Sequence, residues 1–149
     1  ENYSTLFLSQ KPYLPLGTLR DAISYPGETV KDGRIEMYLH ELSLDYLVAD
    51  LDKEDNWSLM LSLGEQQRIA IIRALLIKPQ ILFLDEASSA LDERIESVAY
   101  DLLRTELKDS VILSVGHRSS LIAKHELMLI SKNSNGEWIL ENTKDAVKA

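Results

Sequence analysis

Residues 61–92 read LSLGEQQRIAIIRALLIKPQILFLDEASSALD, a segment that holds a helix start, an apolar helix, a turn, an apolar strand and two adjacent carboxylates. The unbroken run Ile81-Leu82-Phe83-Leu84 follows a lysine–proline break. It predicts a parallel strand covered on both faces, because a strand with one wet face would alternate. Asp85 and Glu86 leave this strand at its carboxyl edge, where open α/β sheets put their ligands. That pair suggests one carboxylate that holds Mg2+ and a neighbour that orients or deprotonates a water. Taken alone, an acidic pair simply ends a strand.

The residues before the strand sharpen the choice. Residues 66–77 are apolar almost all round, which predicts a helix buried against the sheet. Ser62 supplies a hydroxyl at its amino end, Gly64 lets backbone approach a ligand closely, and the unbonded N–H groups with the helix dipole favour an anion such as phosphate. In a helix standing alone, Ser62 would be just an N-cap and Glu65 its capping-box partner.

Composition sets outer bounds. At 149 residues, with 45% hydrophobic and 27% charged, the sequence holds one domain's worth of globular chain. The longest apolar candidate for a membrane span, residues 69–77, is too short and is broken by Arg73, and no signal peptide is recognisable. Absence of cysteine excludes disulfides and thiolate metal sites. A formal net charge of -8 argues against a general nucleic-acid surface. There is no internal repeat.

Outward from the central stretch, residues 3–8 read as a strand, and Lys11-Pro12-Tyr13 forces an extended exit after Gln10. Residues 18–60 read as a helical insertion. Thr18 with Asp21 makes a capping box, Tyr25-Pro26-Gly27 ends that helix, and Ile35, Tyr38, Leu39 and Leu42 give a second helix one apolar face. A third apolar stretch covers 44–51, residues 50–56 read as a solvated charged loop, and Trp57 packs at the edge of the insertion. Asp92 precedes a helix lined by Ile95, Val98, Ala99, Leu102 and Leu103. Residues 110–115 predict another buried strand, ending in Gly116-His117-Arg118. His40 and His125 read as structural. Residues 127–130 and 138–140 predict two strands around a turn at 132–136, and 143–149 a helix or a frayed end.

LSLGEQQR, an apolar helix, ILFLDE and then SSALD resemble, in order and spacing, the signature motif, Walker B strand and D-loop of an ATP-binding cassette (ABC) ATPase. The resemblance runs from about residue 6 to about residue 140. With VGHRSSL downstream, it is similar to the SbmA/BacA-like and peroxisomal fatty-acyl (subfamily D) type of bacterial ABC transporter. The implied fold is α/β, a P-loop NTPase (RecA-like) ABC cassette with a helical signature subdomain, truncated at the N-terminus. Residues 1–17 would be strand and Q-loop, 18–78 helical subdomain and signature helix, and 79–149 Walker B strand, D-loop, H-loop and C-terminal strands.

The resemblance also assigns roles. Gln10 would be the Q-loop glutamine, helping Asp85 to hold Mg2+ and positioning water; Glu86 would be the general base, and His117 the switch histidine on the γ-phosphate. Ser62, Leu63, Gly64 and Glu65 would meet the nucleotide bound by a second nucleotide-binding domain in a head-to-tail dimer, and Asp92 would contact that domain. Leu63 departs from the usual motif, which has glycine there. Cofactors would be ATP and Mg2+. The other partner would be a transmembrane domain, docked near residues 13–21 at the cytoplasmic face of the inner membrane, with no nucleic acid expected and the isolated segment soluble.

A phosphate-cradling G-x-x-x-x-G-K-[ST] is absent from the sequence. In the family it precedes the strand at 3–8, so the resemblance implies a nucleotide-binding domain lacking its P-loop, with little ATP turnover alone and apolar sheet edges prone to association. Two alternatives stay open: a soluble ABC-type ATPase of DNA repair or translation, which would favour basic surface, and a non-catalytic interaction module that keeps the motifs as scaffold.

Overall fold

Strand β1 (Thr5–Leu8) opens the computed structural model, which describes residues 3–132 and 136–146. After the proline-directed exit, a two-residue strand β2 (Gly17–Thr18) leads into helix α1 (Leu19–Ser24), where the Asp21 N–H donates to Thr18 Oγ1 at 3.1 Å. Helix α2 (Arg34–Glu41) buries Ile35, Tyr38 and Leu39, with Leu42 buried just past its end, as the helical period requires. A 3-10 turn at Asp45–Asp50 then buries Leu47 between Leu44 and Leu51.

Residues 50–56 are not the free loop their charge suggests. Strand β3 (Glu54–Asp55) pairs antiparallel with β2, and Arg20 Nε donates to Asp52 at 2.8 Å while its Nη1 reaches Glu36 at 3.1 Å. The mostly buried Arg20 takes its charge partners from that acidic segment and from α2, so one guanidinium ties three pieces of chain. In the following helix α3 (Trp57–Met60), Trp57 is buried, and its Nε1 donates to Gly17 O at 3.2 Å.

Helix α4 (Leu63–Ile77) is buried along most of its length. Arg73, which interrupts its apolar run, is itself buried. Its Nε and Nη2 donate to Ala22 O at 3.1 and 2.6 Å, and its guanidinium stacks on Tyr25; desolvation pulls its pKa down to about 10. Strand β4 (Ile81–Asp85) follows, then helix α5 (Glu93–Glu106) and strand β5 (Val111–Val115). The three strands form a parallel sheet in the order β1-β4-β5, with Phe7, Phe83 and Leu113 in one row and Leu8, Leu84 and Ser114 in the next.

Parallel pairing is as the sequence predicts, but two-sided cover is not. Leu8, Leu82 and Leu84 are buried, and Tyr100 of α5 donates its hydroxyl to Ser114 on that side at 3.1 Å. On the opposite side Phe83 is 37% exposed, and β5, expected to be buried, shows Val111, Leu113 and Val115 to solvent. With that face open to solvent, the apolar run alternates in burial despite its uniform composition. Helix α5 buries Ile95, Ala99 and Leu103 as predicted, with Val98 and Leu102 half-buried and two unpredicted polar residues, Glu96 and Tyr100, inside.

The chain divides into two compact units, Glu1–Val115 and Gly116–Ala149. In the second, a 3-10 turn at Ser119–Lys124 precedes strands β6 (Leu127–Ser131) and β7 (Trp138–Asn142), paired antiparallel with Leu129 opposite Leu140, and the short helix α6 (Thr143–Ala146). Thr143 Oγ1 donates to His125 O at 2.6 Å, and His125 Nδ1 lies 2.8 Å from Leu121 O. Residues 133–135 of the expected turn and 147–149 of the expected tail lie outside the described residues.

Candidate functional site

Helix α4 starts with a complete capping box. The Ser62 N–H donates to Glu65 Oε2 at 2.6 Å, and the Glu65 N–H donates to Ser62 Oγ at 3.3 Å. The Tyr46 hydroxyl donates to the other Glu65 oxygen. Burial pushes the Glu65 carboxyl up, but the bonds from Tyr46 and Ser62 outweigh it and leave the group below its ordinary range. Tyr46 is correspondingly pushed up to about 12 by burial and by the carboxylate. Glu65 is therefore an anion committed to the helix start at neutral pH.

Gly64 has a neighbour the sequence does not announce. A Cβ at this position would lie 3.0 Å from Ala90 O, tighter than nearly all real contacts. The backbone that comes close here belongs to the turn after β4, whatever ligand also approaches. Ser62 and Leu63 are exposed beside it.

At the carboxyl edge of the sheet, Asp85 ends β4 opposite Val115 and is exposed. Glu86 takes a left-handed backbone, φ 54°, with its N–H donating to Val115 O at 2.9 Å and its carbonyl accepting the Ser89 N–H at 3.2 Å. A non-glycine residue in that region carries strain, the kind the surrounding structure must over-determine. Here the turn is braced from below: buried Ser88 donates to Glu96 Oε2 at 2.7 Å. Asp92 caps α5 by accepting the Ile95 N–H at 2.9 Å.

Two glutamines join these pieces. Gln10 Nε2 donates to Ser89 Oγ at 3.3 Å. Gln67, fully buried on α4, uses Nε2 toward Gln10 O at 2.7 Å, Ser89 Oγ at 3.2 Å and Glu86 O at 3.4 Å, while its Oε1 accepts the Ala90 N–H at 2.9 Å. The first unit thus brings Gln10, Glu86 and the start of α4 into one bonded cluster, with Asp85 adjoining it and Asp92 at the head of α5. His117 belongs to the second unit, where it is exposed directly after Gly116.

Gln67, Ser89 and Tyr46 escaped the sequence reading. The signal for Gln67 was present, since a polar amide inside an otherwise apolar helix must find buried partners. Asp85 and the Gln10 amide oxygen are hard oxygen donors, which suits Mg2+, an ion content with one or two protein ligands beside phosphates and water. Consistent with so sparse a donor set, the described residues hold no group of three or more histidine, cysteine or carboxylate side chains placed to bind a metal.

A sequence profile of the family described as ABC transporter matches residues 4–89, more than half of the chain. The chain belongs to this family. An ABC transporter ATP-binding protein of Haemophilus influenzae is 44% identical over 138 residues, covering 91% of this chain and 23% of its own length. The human lysosomal cobalamin transporter ABCD4 is 37% identical over 154 residues, covering 95% of this chain and 25% of its own length. In three dimensions the chain is similar to a bacterial Atm1-family ABC exporter solved with ATP bound, with a TM-score of 0.81, 26% identity, and 97% of this chain covered against 26% of that one. The chain spans about a quarter of the length of these relatives. The ABC cassette assignment is thereby shown by sequence and by fold together, and the relation to subfamily D transporters with it.

Proposed function

We propose that these residues are the signature-bearing part of the ATP-hydrolysing motor of a membrane ABC transporter. The observation that carries this reading is the cluster at the sheet's carboxyl edge, in which the Gln10 amide, the Gln67 amide and the turn at Glu86 are bonded to one another. A scaffold-only module has no need of a strained carboxylate at that spot.

In this reading Asp85 and Gln10 hold Mg2+, and Glu86 orients the attacking water and accepts its proton. His117 donates to an oxygen of the γ-phosphate, steadying its growing charge. Bound ATP supplies the phosphoryl group transferred to water, and Mg2+ offsets the charge of its phosphates. Ser62 and the N–H groups at the head of α4, with Leu63 and Gly64, face the nucleotide of a second cassette, which Asp92 touches. Glu65 holds that helix start in shape. Residues 1–149 hold no G-x-x-x-x-G-K-[ST] phosphate cradle, and in this reading they turn over little ATP by themselves. Residues 1–17, 18–78 and 79–149 correspond to Q-loop strand, helical subdomain and remainder of the cassette. Exposed Tyr13 and Leu16 suit the contact with a transmembrane domain on the cytoplasmic face of the membrane. No helix among the described residues is long and apolar enough to cross a membrane.

Glu86→Gln in the full-length protein tests the assignment. Hydrolysis is expected to fall by about 100-fold or more, with Mg·ATP still bound in calorimetry. Hydrolysis at the unsubstituted rate would remove Glu86 from the chemistry.

A further inference from the structure

We propose that Gln67 is the positioning residue that locks the head of α4 to both loops of the catalytic edge, so that displacement of the helix is felt at Gln10 and Glu86 together. The inference deepens the motor reading and rests on it for its consequence in turnover, but its geometry stands apart.

One buried amide spans three segments. Its nitrogen has two hydrogens and reaches three oxygens: Gln10 O at 2.7 Å, Ser89 Oγ at 3.2 Å and Glu86 O at 3.4 Å. Its oxygen takes the Ala90 N–H at 2.9 Å. Gln10 O and Glu86 O belong to backbone on either side of the cluster, so the amide fixes loop paths rather than one rotamer. Gln67 is 0% exposed, so these bonds are made away from bulk solvent. Its Cα sits one turn inside α4, beyond the capping box, so a shift of the helix start carries the amide with it. The same segment comes close to Ala90 at Gly64, where an added Cβ would lie 3.0 Å from Ala90 O. Through this amide α4 holds Gln10 and Glu86 by their backbone carbonyls.

Glutamine is specific here because both polarities are used. Glutamate of equal length keeps the acceptor for Ala90 but sets a second oxygen against Gln10 O and Glu86 O. Methionine keeps the approximate volume and loses both kinds of bond.

Gln67→Met and Gln67→Glu are compared with the unsubstituted full-length protein by hydrogen exchange, steady-state ATP hydrolysis and Mg·ATP calorimetry, with Glu86→Gln as control. Gln67→Met is expected to speed exchange in residues 9–13 and 86–90 together. Gln67→Glu should keep the Ala90 amide protected while residues 9–13 loosen. In both, kcat falls about 10- to 100-fold from misplacement alone, with nucleotide affinity unchanged. Unaltered exchange in both loops, or loosening confined to α4, overturns the positioning role whatever the activity. Should Glu86→Gln leave hydrolysis intact while exchange responds as described, the motor reading fails and the mechanical link stands.

Discussion

Glu86 holds a left-handed backbone at φ 54° in a turn fixed by Val115 and Ser89. Glycine reaches that region without penalty, whereas an L side chain pays about 1 kcal/mol. Glu86→Gly should therefore be more stable than Glu86→Ala by about 1 kcal/mol in urea unfolding, since both lose the carboxylate and differ only in the Cβ. Equal stabilities would mean the turn relaxes. Gly64 makes the opposite case: its φ is ordinary, and what excludes a side chain is Ala90 O. Gly64→Ala is expected to destabilise the fold by about 1–2 kcal/mol, and no loss in unfolding free energy would show that the turn gives way freely. The need for glycine was legible in the sequence; its partner was not, because Ala90 meets it only through tertiary packing. The capping box of Ser62 and Glu65 was fully legible, being closed within one turn of chain.

Among the elements, α5 follows its periodicity because a helix carries its own hydrogen bonds and shows its buried face in its spacing, while α4, apolar almost all round, is buried along most of its length. Sheet faces are less readable: the run at 81–84 is uniformly apolar, yet what covers each face is settled by elements elsewhere in the chain. The β2–β3 pair and the Arg20 link to Asp52 were hidden for the same reason, both being set by contacts remote in sequence. At the head of α4 the balance of charge makes a prediction with a definite sign. Glu65 is held below its ordinary carboxyl range in the folded chain. Its contribution to stability is thus complete above the unfolded value, about 4.3, and is lost as pH falls through the lower folded value. The stability gap between the unsubstituted chain and Glu65→Gln should stay constant from neutral pH down to about 5 and narrow only in more acid solution. A gap that widens with acid, followed by thermal unfolding at stepped pH, would contradict the assigned bonds from Tyr46 and Ser62.

Across the first unit, one side of the β1-β4-β5 sheet leaves a row of apolar side chains open to solvent. Phe7 and Phe83 pack ring to ring at 6.5 Å on that side, next to Leu113, with Val115 64% exposed at the end of β5. A contiguous apolar face of this kind drives association, and both β1 and β5 are edge strands that can pair. The net charge of -8 works against it, because like-charged molecules repel at low ionic strength. Salt screens that repulsion within about 10 Å at 0.1 M but leaves the apolar attraction in place. Residues 1–149 should therefore sediment as larger species as concentration rises, and more so in high salt. Leu113→Glu, which sets a charge midway along β5 on that face without touching the buried side, should return the chain toward monomer. Persistent monomer in high salt at the highest attainable concentration would mean the face is too small or too twisted to self-associate. Association that Leu113→Glu fails to reduce would move the contact to the strand edges, where backbone groups rather than apolar side chains do the pairing.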